Sequence, residues 1–189
     1  PAPLRELAET IDHRVARIPT RLNEDGYDPF GVDPGYARQM VLAGFHAGTP
    51  LLSFVGHSSP GQWDFTPLLT WQDAASLTNA AHPSLVAQWG CWNSYYVEPA
   101  YESLSAHLLR ASGGAAATVG AATLLPHSVQ QQLGELFFAQ VERGSQTLGE
   151  ALNAAKRELL ETGSGQDVVL GTILLGDPAT SLPLGQPQH

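Results

Sequence analysis

Three short apolar runs, separated by segments with helical periodicity, constrain the fold of this chain more than any other feature. The runs are LLSFV at 51–55, LVAQWG at 85–90 and AAATVGA at 115–121. Continuous apolar runs of this length are typical of strands buried on both faces, as in parallel sheets. Helical patterns cover residues 4–17, 34–46, 71–78, 102–111, 128–142 and 146–161. This alternation predicts an α/β fold, a mostly parallel sheet flanked by helices in three layers.

The segments between these elements give weaker signals. Residues 18–33 predict a loop with one short strand near 20–22, and GHSSPGQWDF at 56–65 predicts a loop. VVLGTILLGDP at 168–178 predicts helix-like packing followed by a sharp turn. Three strands are few for such a sheet, and the chain starts with Pro-Ala-Pro. We therefore interpret residues 1–189 as a single subdomain of a longer polypeptide, whose sheet has an exposed or borrowed edge.

Charge and cysteine content exclude several classes of protein. The 189 residues carry a net charge of −9, from 9 basic and 18 acidic residues, and Lys156 is the one lysine. Without a basic stripe to neutralise phosphates, the chain is not expected to bind nucleic acid. No apolar run reaches the ~20 residues that a membrane-spanning helix needs. A single cysteine, Cys91, excludes both a disulfide scaffold and a cysteine-based zinc site.

Two reactive side chains follow two of the predicted strands. His57 comes just after the run 51–55, and Cys91 directly after the run 85–90. The carboxyl ends of parallel strands form the ligand crevice of open sheets, so neighbouring strands would bring these residues together. A histidine beside a cysteine is the minimal apparatus for thiolate chemistry. On spacing alone, a small buried core cysteine remains the alternative.

The stretches around these residues resemble the catalytic core of the gingipain-type cysteine peptidases, which have a caspase-like fold. LLSFVGHSSPGQW resembles the family's strand that ends in Gly-His-Gly with a Trp a few residues on, and LVAQWGCWNSYYV its strand that ends in the nucleophile. SLSAHLLRASGGAAATVGAAT, TLGEALNAAKREL and LLGDPATSLPL resemble later helix, strand and turn segments of the family. In all, the resemblance covers roughly residues 34–185.

The resemblance implies specific roles for these residues. Cys91 would be the nucleophile and His57 the general base and acid, with the backbone N–H groups of Ser58 and Cys91 as oxyanion donors and no cofactor. A group that orients His57 would come from sequence upstream of this chain. The sequence departs from the family pattern at Ser58, where the family has glycine. It departs again in the helix after the cysteine, which in the family usually contains an acidic residue and here reads Ser105-Ala106-His107.

Other side chains near the pair have two interpretations each. Trp63 either forms a wall of a substrate pocket or covers the sheet. Trp92, Asn93, Tyr95 and Tyr96 follow Cys91, where the family builds part of its specificity pocket; the alternative is a packed loop. No metal site is predicted, because the spacing of His57, Asp64 and His82 matches no compact ligand motif. The remaining histidines are interpreted as surface or helix residues or have no informative context: His13, His46, His107, His127 and His189.

The resulting expectation is a catalytic subdomain that hydrolyses peptide bonds through an acyl-enzyme on Cys91. The alternative is an inactive caspase-like module for binding or assembly, which the Ser58 departure favours. The expected partners are a peptide or protein substrate and the remainder of a longer chain. The resemblance implies an extracytoplasmic location. Asp64, Glu98 and Glu102 are the acidic residues near the site, but none follows a strand directly, so strict specificity for Arg or Lys is not expected.

Overall fold

Strands and helices alternate along most of the chain in a computed structural model that describes residues 33–182. In chain order the elements are α1 (Pro34–His46), β1 (Leu51–Val55), β2 (Ser58–Ser59), β3 (Gln62–Trp63), β4 (Leu69–Thr70), α2 (Trp71–Ala74), β5 (Ser84–Trp89), α3 (Leu104–Arg110), β6 (Ala115–Ala121), α4 (His127–Glu142), α5 (Leu148–Glu161), α6 (Gln166–Gly171) and β7 (Thr172–Gly176). The main sheet has the order β1-β5-β6-β7. Its first three strands are parallel and β7 is antiparallel to β6, which confirms a mostly parallel sheet.

Helices cover both faces of this sheet. Every residue of β5 is buried, as its continuous apolar sequence predicts. Trp89 faces α4, where its ring lies 5.6 Å from that of Phe137, in a core that α5 completes. Val86 points to the other face and joins a second core with residues of α1 and α3. The predicted arrangement of helix, sheet and helix is therefore confirmed.

Local sequence signals explain where the helices begin. Asp33 caps α1, because its carboxylate accepts a hydrogen bond from the Tyr36 amide at 3.0 Å, and Pro34 occupies the first turn. Thr147 and Glu150 form a capping box at the start of α5. The helices predicted at 34–46, 128–142 and 146–161 are confirmed to within about two residues.

Three local predictions are wrong. Residues 56–65 are not all loop, because β2 and β3 pair as a hairpin around Pro60-Gly61. β3 also pairs with β4, and the three strands form a second small sheet. The helix predicted at 71–78 ends at Ala74. The segment 168–178 is helical only as far as Gly171. From Thr172 it pairs with β6 as a fourth strand, because the short run TILLG can satisfy its backbone groups on that open edge.

Two sequence predictions, the helix at 4–17 and the strand near 20–22, lie outside the described residues. The interpretation of residues 1–189 as one subdomain of a longer polypeptide stays a prediction. In the part of the chain that the structure describes, no helix is long and apolar enough to cross a membrane.

Candidate active site

The pairing of β1 with β5 brings the segments that contain His57 and Cys91 to the same edge of the sheet. The two strands are parallel, and their last paired residues are Val55 and Trp89. His57 and Cys91 each follow their last paired residue by two positions. Because adjacent strands lie about 4.8 Å apart, both residues leave the sheet side by side at its carboxyl edge. The hydroxyl of Ser58 joins the two segments directly by donating to the Cys91 carbonyl oxygen at 2.7 Å.

Cys91 is half-buried, and its sulfur faces the segment that follows β6. The Sγ atom lies 3.6 Å from the Leu125 carbonyl oxygen, to which the thiol can donate. The Gln130 side-chain amide, on the second turn of α4, approaches the same sulfur at 3.8 Å. Two polar groups that also contact each other, at 3.2 Å, therefore approach the sulfur from the same side.

A buried asparagine holds the loop after Cys91. The Asn93 Nδ2 donates to the Gly90 carbonyl at 3.0 Å and to the Ser58 hydroxyl at 3.1 Å, while its Oδ1 accepts from the Ala121 amide at 2.9 Å. Close approach to β6 is possible because Gly120 has no side chain; a Cβ there would lie 2.1 Å from Asn93 Oδ1. One side chain thus ties together the ends of β5 and β6 and the residue that follows His57.

The chain turns sharply immediately after the cysteine. Trp92 has a φ of 57°, in the left-handed region that costs a non-glycine residue about 1–2 kcal/mol. Its amide donates to the Thr123 carbonyl at 3.2 Å, and the Ser94 amide donates to the Ala121 carbonyl at 3.0 Å. These two bonds, one to the last residue of β6 and one to the segment after it, hold the turn in place. Such strain is found most often at functional sites.

His57 is exposed and packs against two rings from other segments. The Phe65 ring lies 4.9 Å from its imidazole and the His127 ring 6.2 Å, as distances between ring centroids. Partial burial and the nearby charge of His57 lower the pKa of His127 below that of a free histidine. His127 therefore stays neutral to a lower pH than an isolated histidine, which limits repulsion beside a protonated His57.

Two backbone amides at this edge, those of Ser58 and Cys91, are not used in pairing with another strand. Ser58 is opposite Trp63 in the β2–β3 hairpin. The neighbouring pair, His57 and Asp64, is hydrogen-bonded, because the Asp64 amide donates to the His57 carbonyl at 2.7 Å. Bonded and non-bonded pairs alternate in antiparallel hairpins, so the Ser58 N–H points away from β3. Within residues 33–182, the Cys91 amide donates to no backbone carbonyl.

The aromatic and amide residues singled out from the sequence lie in different environments. Trp63 is only 2% exposed: it stacks on Phe54 at 4.7 Å and donates to the Gln88 side chain at 2.7 Å. It covers the sheet and has no accessible face for a substrate. Asn93 is fully buried in the loop. Tyr95 is half-buried, and Trp92 and Tyr96 are exposed.

The other polar candidates are engaged elsewhere or stand alone. Glu102 forms an ion pair with Arg110 and lies 3.8 Å from His107, whose ring packs on Trp71. His82 is exposed. Across residues 33–182, no three His, Cys, Asp or Glu side chains are grouped closely enough to hold a metal ion.

Sequence reasoning missed four groups that surround the pair: Phe65, Leu125, His127 and Gln130. Three of them follow β6, the third parallel strand in the sheet. The rule that selected His57 and Cys91, that chemistry gathers at the carboxyl ends of parallel strands, applies equally to that strand. Phe65 had no such signal, because its place depends on the hairpin that the sequence did not predict.

Comparisons with known proteins agree with this architecture. Residues 14–183 match the sequence model of peptidase family C25. The structure of the Arg-specific cysteine proteinase gingipain R (RgpB) superposes with a TM-score of 0.68 at 19% identity, over 84% of this chain and 38% of that one. The complex of the Porphyromonas gingivalis RgpB pro- and mature domains gives a TM-score of 0.78 at 16% identity, over 96% and 42%. A third structure, described as a protease, gives 0.63 at 16% identity, over 77% and 38%.

The chain spans about two fifths of the length of these solved structures. At such identities the superpositions show a shared fold. A comparison with curated proteins gives no match. The family match, however, extends over most of the sequence and agrees with the fold, which confirms the resemblance to gingipain-type cysteine peptidases: the chain belongs to peptidase family C25.

Proposed function

We propose that Cys91 and His57 are the catalytic dyad of a cysteine endopeptidase, of which this chain is the catalytic subdomain. The observation that carries the proposal is the register of β1 and β5, in which both residues follow the last strand pair by two positions. Family membership supports the same chemistry. The group that orients His57 and the remainder of the catalytic domain would belong to a longer chain, and an extracytoplasmic location follows from the same family likeness.

The reaction would proceed by acyl transfer. The Cys91 thiolate attacks the scissile carbonyl carbon and forms a C–S bond, while the amides of Ser58 and Cys91 donate to the developing oxyanion. The intermediate then collapses, the C–N bond breaks, and the leaving amine takes a proton from His57. Water next attacks the carbonyl carbon of the acyl-enzyme and gives a proton to His57. The second intermediate then collapses, the C–S bond breaks and the Cys91 thiolate is restored.

Ser58 is compatible with this role although the family has glycine there. Its side chain is turned toward the Cys91 carbonyl and the Asn93 amide, at 2.7 and 3.1 Å, rather than into open solvent. The backbone N–H remains as a donor. The substitution therefore exchanges the flexibility of glycine for two hydrogen bonds that fix this segment against the cysteine loop.

Alkylation by iodoacetamide distinguishes this proposal from an inactive binding module. Because the chain has one cysteine, the rate of labelling reports Cys91 alone. We expect half-maximal labelling well below pH ~8.5, the value for an ordinary thiol, and we expect His57→Ala to move it upward. His82→Ala, at an exposed histidine, is the matched control and should change nothing. A midpoint near 8.5 that does not respond to His57→Ala would favour the inactive module.

A peptide library that varies the residue before the scissile bond tests the expected specificity. The exposed side chains beside the dyad are apolar: Phe65 is 80% exposed and Trp92 39%. Of the acidic candidates, Glu102 is paired with Arg110, and the Asp64 carboxylate accepts from the Phe65 amide at 2.6 Å. We expect cleavage after apolar or aromatic residues, and a decrease of about tenfold in kcat/KM for them in Phe65→Ala. Exclusive cleavage after Arg or Lys, weakened by Glu98→Gln or Asp64→Asn, would contradict this expectation.

A further inference from the structure

Gln130 is a buried polar residue that contacts the sulfur of Cys91. It lies on α4 and is 2% exposed. Its Nε2 lies 3.2 Å from the Leu125 carbonyl oxygen and 3.8 Å from Cys91 Sγ. The same carbonyl oxygen lies 3.6 Å from the sulfur. Three polar atoms thus form a closed triangle that includes the proposed nucleophile.

The chemistry of the triangle determines which end of the Gln130 amide faces the sulfur. The Leu125 carbonyl oxygen only accepts hydrogen bonds, so the NH₂ group rather than the amide oxygen must face it. An NH₂ group has two N–H bonds in fixed directions. With one N–H turned toward the Leu125 carbonyl, the other can reach the sulfur only in a bent hydrogen bond, because the two acceptors lie closer together in direction than the two N–H bonds.

Ionisation of Cys91 changes the balance of these contacts. The neutral thiol can donate its proton to the Leu125 carbonyl, but a thiolate has no proton to donate and is repelled by that oxygen. The thiolate does accept hydrogen bonds, and the Gln130 Nε2, which carries N–H donors, lies 3.8 Å from the sulfur. Because the amide is buried, its dipole is weakly screened and acts more strongly on the charge than it would in water.

We propose that Gln130 is a positioning residue for the nucleophile, which stabilises the Cys91 thiolate and holds the sulfur beside the Leu125 carbonyl. The inference rests on the proposed function, in which Cys91 reacts as a thiolate. It adds a group on α4 that acts on the sulfur directly. His57 would remove the proton, and Gln130 would stabilise the charge that remains.

Gln130→Met tests this role, because methionine has a similar size but no N–H donor. We expect the pH of half-maximal iodoacetamide labelling to rise by about one unit, which corresponds to about tenfold slower labelling at pH values below both midpoints. The thiolate absorbance in the ultraviolet should appear over the same shifted pH range, with Cys91→Ala as the blank. Gln131→Met is the matched control, since the Gln131 amide donates to Glu135 at 3.0 Å instead. It should leave both curves unchanged.

Gln130→Asn tests the same role if the methionine variant is unstable. Its shorter side chain retains the donor but withdraws it from the sulfur, so labelling should shift in the same direction by a smaller amount. A folded Gln130 variant that melts at a lower temperature but keeps the parent's labelling curve would overturn the inference and leave a packing role. These readouts need no substrate. A shifted curve in a protein whose full-length chain cleaves no peptide would therefore support the role of Gln130 while contradicting the proposed peptidase function.

Discussion

Replacing Cys91 with alanine is expected to reduce peptidase activity by about 10⁴-fold or more, because no other thiol is present to form an acyl-enzyme. The substitution removes a half-buried sulfur whose hydrogen bond to the Leu125 carbonyl, at 3.6 Å, is long. We therefore expect the free energy of unfolding to change by no more than about 1 kcal/mol. Initial rates on a peptide library and thermal melts measure the two effects separately.

The control for this experiment is the affinity for an uncleaved peptide. An alanine variant that is folded should still bind substrate, because the groups beside the dyad remain in place. If Cys91→Ala cleaves the library as fast as the parent, then Cys91 is not the nucleophile. If neither protein, tested in its full-length form, cleaves any peptide while both bind the same one, the inactive binding module becomes the better description.

Asn93→Ala is expected to have the largest effect on stability among substitutions near the site. It removes a fully buried amide and leaves the Ala121 N–H and the Gly90 carbonyl without their partner. Each unsatisfied buried group costs about 1–3 kcal/mol, so the free energy of unfolding should fall by about 2–6 kcal/mol. For a chain of this size, the melting temperature should fall by about 10 °C.

Activity should fall together with stability in this variant, even at temperatures where it remains folded. Asn93 also donates to the Ser58 hydroxyl, which in turn donates to the Cys91 carbonyl. Loss of the amide loosens the cysteine loop and the proposed oxyanion donors together. Asn153→Ala, at an exposed position of α5, is the matched control and should change stability by less than about 0.5 kcal/mol. Equal melting temperatures for Asn93→Ala and the parent would show that the amide does not hold the loop.

Much of the architecture follows from the order of residues along the chain. The runs 51–55, 85–90 and 115–121 predict the three parallel strands, because a strand buried on both faces needs apolar residues throughout. Asp33-Pro34 predicts the start of α1 for an equally local reason. β7 is missed because TILLG continues directly from a helical segment, and periodicity alone does not separate a short apolar strand from a helix. The hairpin of β2 and β3 is missed because strands of two residues have no period.

The candidate site, like the fold, depends partly on local sequence and partly on tertiary structure. That His57 and Cys91 lie at strand ends was determined by the sequence, because strand boundaries are local. That β1 and β5 are neighbours in matching register was decided by the tertiary structure.

Only the tertiary structure decided which other side chains reach the pair. Gln130 meets a sulfur 39 residues earlier in the chain, and Trp63 is turned into the core by a hydrogen bond to Gln88, 25 residues later. The physical reason is that the direction of a side chain depends on its partners. Those partners come from distant segments that packing brings together, so no local pattern contains them.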